Sequence, residues 1–249
     1  MSEPRRPSDE FKRDRALTRR HLLARAGLAG AALGSGALGG ADALAALKPP
    51  PRPRTPAQAL RALQLGNQRY VSGNIKRLDY NRLGNQIAET QRPFAAIVTC
   101  ADSRISPPVV FDLALGNVFV SRIAGNSVDT GTVGSTEYAV EELGVLLVMV
   151  LGHSDCGAVK AAIKVANGKA SFPRAKFGAI GPMIRPVVRA VKTLPDKQRT
   201  LNRSIVVNAR IQAGRFADTG PIINHAVALG HVQVVAAVYD IRSGRVSLV

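Results

Sequence analysis

The sequence lacks tryptophan, and aromatic residues of all kinds make up only 4% of its 249 residues. Core volume must therefore come mainly from Ala, Val, Leu and Ile, in a chain of ordinary globular composition, with 46% hydrophobic and 20% charged residues. The net charge is +17, but neither a long basic block nor an RNA-binding aromatic motif accompanies it. We therefore expect a solvated basic surface and no nucleic-acid partner.

Cysteine is equally scarce, since Cys100 and Cys156 are the only two. This count excludes a disulfide-rich scaffold and a four-cysteine metal site, but it leaves a single disulfide open. A metal is favoured because His153 lies three residues before Cys156, in a turn that enters a helix. Two thiolates and one imidazole suit zinc, which takes four protein ligands in structural sites and three in catalytic ones. The set thus favours catalysis, although an Asp or another His could close it.

Long hydrophobic runs are also missing, apart from a weak candidate within residues 1–45. This segment starts polar and charged, continues with Arg19-Arg20 and an Ala-, Gly- and Leu-rich stretch, and ends in Ala43-Leu44-Ala45. It resembles a twin-arginine (Tat) signal peptide with a small-residue cleavage site. His21, directly after the paired arginines, departs from the usual pattern of such signals. An uncleaved anchor is the alternative, which Arg25 disfavours.

The segment predicts the organisation of the remaining chain. Residues 46–56 would be a stiff Pro-rich linker, and residues 57–249 the functional domain. We expect the Tat machinery to export the protein already folded, to the periplasm or otherwise out of the cytoplasm. A metal could then be loaded in the reducing cytoplasm, before the cysteines meet an oxidant.

Apolar runs alternate with helical patterns through the domain. We predict helices over 57–71, 84–91, 134–143 (capped by Ser135), 181–192, 199–217 and 221–229 and from 157 onward, and strands over 94–99, 118–123, 145–151, 232–239 and 245–249. The alternation predicts an α/β fold: a four-stranded, mainly parallel sheet flanked by helices, with a short antiparallel edge strand and an N-terminal helical arm. Ligands bind beyond the carboxyl ends of such strands, where Cys100 and Cys156 both fall.

A carboxylate and a guanidinium follow the first cysteine. Asp102 lies two residues after Cys100, and Arg104 two residues after Asp102. The carboxylate could ligate a metal or accept a hydrogen bond from its water, and the arginine would keep it ionised and away from the metal. An ordinary surface salt bridge is the alternative.

Four sequence blocks together resemble the β-class carbonic anhydrase family. They are CADSR from Cys100, RIAGN from Arg122, GSTEYAVEELGV from Gly134 and GHSDCGAVKAA from Gly152. Their order and spacing match, and the resemblance runs from about Pro56 to Val249. It implies reversible hydration of carbon dioxide to bicarbonate and a proton, with one Zn²⁺ per subunit.

The resemblance also implies residue roles. Cys100, His153 and Cys156 would bind zinc, and Asp102 would either pair with Arg104 or move in as a fourth ligand in a closed state. The substrate pocket would be formed by Gln91, Phe119, Tyr138 and Gly157. Three of these, Gln91, Phe119 and Tyr138, would complete a partner's site in a homodimer or dimer of dimers; ordinary core or surface roles are their alternatives.

Three other interpretations remain open. A related zinc hydrolase would act on carbonyl sulfide or carbon disulfide at the same metal. A non-enzymatic basic module would hold a structural zinc with four fixed ligands, and a disulfide between the cysteines would exclude a metal. If the protein is a carbonic anhydrase, its thiolate ligands make zinc a weaker acid than an all-histidine site would, so we expect activity to be favoured at alkaline pH.

Overall fold

The computed structural model describes residues 52–76, 88, 90–172 and 178–249, all of which belong to one compact unit, Pro51–Val249. The predicted signal peptide, most of the linker and most of the predicted helix over 84–91 lie outside the described residues. Within the described ranges, no helix is both long and apolar enough to cross a membrane.

Helices and strands alternate along the chain. In order they are α1 (Pro56–Ser72), β1 (Ala95–Thr99), α2 (Pro107–Val110), β2 (Val118–Arg122), α3 (Thr130–Glu141), β3 (Leu147–His153), α4 (Gly157–Ala166), α5 (Ile180–Lys192), α6 (Leu201–Thr219), α7 (Pro221–Ala228), β4 (Gln233–Tyr239) and β5 (Val246–Leu248), with 3-10 turns at Ala124–Asn126 and Asp196–Gln198. The sheet order is β2-β1-β3-β4-β5, with every pair parallel except β4 and β5. The predicted α/β fold, with four parallel strands and an antiparallel edge strand, is confirmed.

Capping side chains mark where two of the helices, α1 and α3, begin. The Thr55 hydroxyl accepts a hydrogen bond from the Gln58 amide at 3.2 Å, and α1 starts at the next residue, a proline. The prediction that α3 begins at Gly134 with Ser135 as its cap is wrong. Asp129 is the cap, because its carboxylate accepts from the Thr132 amide at 2.8 Å, and the glycines that follow obscure the helical pattern in the sequence.

Each face of the sheet carries its own hydrophobic cluster, because successive strand residues point to opposite sides. Ile97 and Met149 lie in the first cluster, to which α1, α4 and α5 also contribute. Val98 and Val150 lie in the second, together with residues of α3, α6 and α7. Every residue of β1 and β3 is buried, as expected for central parallel strands covered on both faces.

Candidate metal centre

Three metal-binding side chains meet at the carboxyl edge of the sheet. One ligand atom each of Cys100, His153 and Cys156 lies within 4.8 Å of the others, and all three residues are buried. Cys100 directly follows β1, His153 ends β3, and Cys156 precedes α4. The convergence follows from the parallel register, which places Thr99 opposite Leu151 and so brings both strands to an end at similar levels.

The histidine ring is oriented by the turn that follows it. Its Nδ1 lies 2.9 Å from the Ser154 carbonyl oxygen, which can only accept, so Nδ1 carries the proton and Nε2 is left with a lone pair. The turn is itself fixed, since the Ser154 amide donates to the Tyr239 carbonyl at 2.8 Å and the Ser154 hydroxyl accepts from the Ile241 amide at 2.9 Å. Nε2 is buried and has no hydrogen-bond partner among the described residues. A buried lone pair of this kind is what a metal ligand requires.

The two cysteines are free thiols whose pKa values are shifted in opposite directions. The neighbouring Cys156 side chain lowers the pKa of Cys100 to about 4 despite its burial. The same contact and burial raise the pKa of Cys156, against the opposing effect of amides at the start of α4. The Gly125 amide also donates to the Cys100 sulfur, at 3.2 Å. The surroundings of the two sulfurs thus favour a thiolate at Cys100 and a protonated thiol at Cys156.

Asp102 lies at the rim of this centre and is held by Arg104. Its Oδ1 accepts from Arg104 Nε at 2.9 Å and its Oδ2 from Nη2 at 2.7 Å, and the backbone amide of Arg104 adds a third hydrogen bond at 3.0 Å. These contacts hold the pKa of Asp102 well below its usual range. The Oδ2 atom is nevertheless only 4.0 Å from Nε2 of His153. A small movement would therefore bring the carboxylate to the ligand cluster.

The donor set fits zinc. Two sulfurs and one imidazole nitrogen, buried and mutually close, are the borderline-soft ligands that zinc prefers, and they number one fewer than the four of a structural site. Zinc bound there would supply a hydroxide nucleophile near neutral pH, because it lowers the pKa of a coordinated water from about 15.7 to about 7.

The loop that contains Gly125 packs against Cys100. Gly125 has a φ of +74°, and a Cβ added to it would lie 2.9 Å from Val187 Cγ2 and 3.1 Å from Ala158 Cβ. Its carbonyl accepts a hydrogen bond from Asn208 Nδ2 at 2.9 Å. Only glycine therefore fits this conformation and this space while its amide reaches the sulfur.

Sequence reasoning missed the polar side chains that hold this loop. Asn208 Oδ1 accepts from Gln212 Nε2 at 3.1 Å, and Gln212 Oε1 accepts from the Val128 amide at 2.9 Å. Both side chains are fully buried on α6. The signal in the sequence was a pair of amides four residues apart on the apolar face of a predicted helix, where a polar residue needs a buried partner.

Arg122 was also missed as a neighbour of the centre. It ends β2, and its Nη2 donates to the Asp102 carbonyl at 2.5 Å while Nε donates to the Cys100 carbonyl at 3.3 Å. The guanidinium therefore ties down both ends of the Cys100–Asp102 segment. The sequence signal for this role was the position of Arg122 at the end of a predicted strand, where it begins the RIAGN block.

The four predicted pocket residues differ in their surroundings. Gly157 starts α4 directly after Cys156. Phe119 packs against the second hydrophobic cluster, whereas the cysteines belong to the first. Tyr138 is 51% exposed on α3, and Gln91 is exposed before β1.

A parallel sheet with a Cys/His/Cys centre at its carboxyl edge defines a class of zinc enzyme, and comparisons with known proteins identify which one. The carbonic anhydrase family model matches residues 95–246. Carbonic anhydrase 2 of Mycobacterium tuberculosis is 34% identical over 202 residues, covering 78% of this chain and 92% of that protein. The Coccomyxa β-carbonic anhydrase structure, solved with acetazolamide, is 26% identical with a TM-score of 0.58, covering 79% of this chain and 87% of its own.

One further structure supports the fold alone. It comes from a study of two tetrameric β-carbonic anhydrases of Sordaria macrospora, is 23% identical with a TM-score of 0.56, and covers 68% of this chain and 90% of its own. The chain belongs to the β-carbonic anhydrase family. It catalyses the zinc-dependent, reversible hydration of carbon dioxide to bicarbonate and a proton.

Proposed function

We propose that Cys100, His153 and Cys156 hold the catalytic zinc, and that Asp102 and Arg104 control access to its fourth coordination position. One observation carries the proposal: Asp102 Oδ2 lies 4.0 Å from His153 Nε2, which has no hydrogen-bond partner in the described part of the chain, while both carboxylate oxygens are bound by Arg104. Held in this way, the carboxylate would leave the fourth ligand position to water. Released from Arg104, it would itself become the fourth ligand.

The ligand assignment is tested by zinc content and stopped-flow carbon dioxide hydration measured on the same samples. His153→Ala is expected to lose zinc and activity together, because it removes the only imidazole of the cluster. His231→Ala, which removes an exposed histidine, is the matched control and should retain both. Full turnover by His153→Ala would refute the assignment.

Asp102 and Arg104 together form the proposed gate, which is tested by releasing Asp102. Arg104→Ala should slow hydration, because the freed carboxylate moves onto the metal, and the added substitution Asp102→Ala should restore part of the rate. Asp102→Ala alone should retain zinc better than His153→Ala. An unchanged rate in Arg104→Ala would refute the gate and leave the ligand assignment standing.

Carbon dioxide is proposed to react faster than carbonyl sulfide or carbon disulfide, because the similar proteins are carbonic anhydrases. Sulfide release from both alternatives, measured beside hydration, tests this choice. Faster turnover of either sulfur compound than of carbon dioxide would overturn it.

We further propose that the protein acts as a homodimer or dimer of dimers in which Gln91, Phe119 and Tyr138 complete the partner's pocket. Support comes from their positions, since Gln91 and Tyr138 are exposed and Phe119 packs against the hydrophobic cluster that does not contain the cysteines. The Sordaria enzymes, which share the fold, are described as tetrameric. Each side chain could line the pocket of a second copy.

Subunit complementation tests this assembly. His153→Ala lacks its own metal and Tyr138→Ala lacks its contribution to the partner, so each homo-oligomer should be impaired. A mixed dimer contains one centre with intact His153 and an intact Tyr138 from the other subunit. Co-refolding should therefore recover roughly a quarter of the wild-type activity, on the statistics of random pairing. No recovery despite mixed dimers in native mass spectrometry would refute the shared site.

We also propose the organisation predicted for the N-terminal part: a Tat signal over residues 1–45, a linker over 46–56 and the catalytic domain over 57–249. Export is supported by Arg19 and Arg20 before the weakly apolar stretch. Arg19→Lys with Arg20→Lys should trap the protein in the cytoplasm, whereas the matched pair Arg5→Lys with Arg6→Lys should not. The exported protein should begin close to Ala46, and continued export of the first variant would refute the route.

A further inference from the structure

A second carboxylate faces the guanidinium of the gate. Arg104 uses Nε and Nη2 for Asp102, and its remaining nitrogen, Nη1, lies 3.7 Å from Oδ2 of Asp155. Asp155 belongs to the turn between His153 and Cys156, so it is fixed to the centre from both sides. Arg104 therefore lies between two acids, one that the gate must move and one that stays in place.

We infer that Asp155 is the alternative partner of Arg104 and sets the balance of the gate. This inference rests on the proposed role of Asp102 and Arg104. When Asp102 moves towards the metal it leaves the guanidinium without its bidentate partner, which opposes closure. A carboxylate already within 4 Å of Nη1 reduces that cost, because Arg104 needs only a small side-chain movement to reach it.

The backbone keeps Asp155 in reach of Arg104. Its φ is +60°, in the left-handed region that Asp and Asn tolerate better than other side chains. Asn at this position would keep the turn while removing the charge. Substitution by Asn therefore isolates the electrostatic contribution of the side chain.

Lys160 acts in the opposite direction. Its Nζ pairs with Oδ1 of Asp155, from the first turn of α4. The lysine thus competes with Arg104 for the same carboxylate and favours the open state. Removal of Asp155 and removal of Lys160 should have opposite effects on the gate.

The experiment measures zinc affinity, by competition with a chromophoric chelator, and hydration rate at pH 7, where hydroxide competes least with a carboxylate for the fourth position. Asp155→Asn should weaken zinc binding and raise turnover, each by about two- to five-fold, the range expected from one exposed ion pair. Lys160→Gln should strengthen zinc binding and lower turnover by similar factors. A damaged centre would instead lose affinity and turnover together.

The Asp102→Ala background separates the gate from a simple charge effect. If Asp155 acts through Arg104 and Asp102, neither Asp155→Asn nor Lys160→Gln should change zinc affinity or turnover once Asp102 is absent. Equal effects with and without Asp102 would show that Asp155 acts on the metal only through space, and would overturn the inference. No effect of either substitution in the wild-type background would overturn it as well. Failure of the gate itself is recognised separately, by an unchanged rate in Arg104→Ala.

Discussion

Asn208 gives the sharpest test of how the fold supports the metal centre. Its side chain joins the carbonyl of Gly125 to the amide of Gln212, and the Gly125 amide in turn donates to the Cys100 sulfur. Asn208→Ala removes both links without touching a proposed ligand. The substitution therefore tests whether the buried amide pair on α6 holds the loop behind the zinc.

The magnitude follows from the groups left without partners. Asn208→Ala leaves the Gly125 carbonyl and Gln212 Nε2 buried and unbound, and each such group costs about 1–3 kcal/mol. The loss of unfolding free energy should be about 2–6 kcal/mol, which for a domain of this size lowers Tm by roughly 4–24 °C. Zinc affinity should fall about tenfold, the lower end of the range for residues that orient metal ligands.

Thermal unfolding and chelator competition, the latter at a temperature where the variant is fully folded, provide the two measurements. Ser204→Ala is the matched control, because Ser204 lies one turn earlier on α6, is equally buried, and its hydroxyl has no hydrogen-bond partner within the described residues. This control should leave stability and zinc affinity nearly unchanged. Equal effects of the two substitutions, or wild-type zinc affinity in Asn208→Ala, would refute the supporting role.

Two further predictions concern the same centre. Gly125→Ala should lower both stability and zinc affinity, because the added Cβ would lie 2.9 Å from Val187 Cγ2. Gly168→Ala is the control, since Gly168 has a similar φ of +69° with open space around it, and it should lower the free energy of unfolding by only about 1 kcal/mol. Equal losses of stability in chemical denaturation would contradict the argument. Zinc binding at pH 8 should release one proton from Cys156 and up to one more from the coordinated water, because the pKa of Cys156 is raised and this thiol is still protonated, while the pKa of Cys100 is lowered and this thiol is already ionised. Zinc affinity should then rise by about ten- to a hundredfold per pH unit between pH 7.5 and 8.5. Calorimetry in buffers of different ionisation enthalpy counts the protons, and a value clearly above two would refute this charge state.

Motifs at the strand ends could be interpreted without a structure, because parallel strands deliver neighbouring residues to one edge of the sheet. Cys100 after one strand, and His153 with Cys156 after another, were expected to meet for this reason, and the register of β1 against β3 brings them together. The contact between Asp102 and Arg104 is local and was expected from their two-residue spacing. Most of what the sequence predicts about the centre therefore rests on short spacings between residues and on the alternation of strands and helices.

Local sequence by itself thus determined the α/β alternation and placed the candidate ligands and the nearby carboxylate at strand ends. Only the tertiary structure decided that β1 and β3 are neighbours, so that the ligands meet, and which groups surround them. The Asn208 amide reaches Gly125 across 83 residues, and Arg122 reaches the Asp102 carbonyl across 20. Phe119 packs against the second hydrophobic cluster, whereas the cysteines belong to the first. Its face is set by the register of β2 with β1, which places Phe119 beside Ala96. Such contacts depend on how distant helices and strands pack, and no local periodicity or spacing encodes that packing.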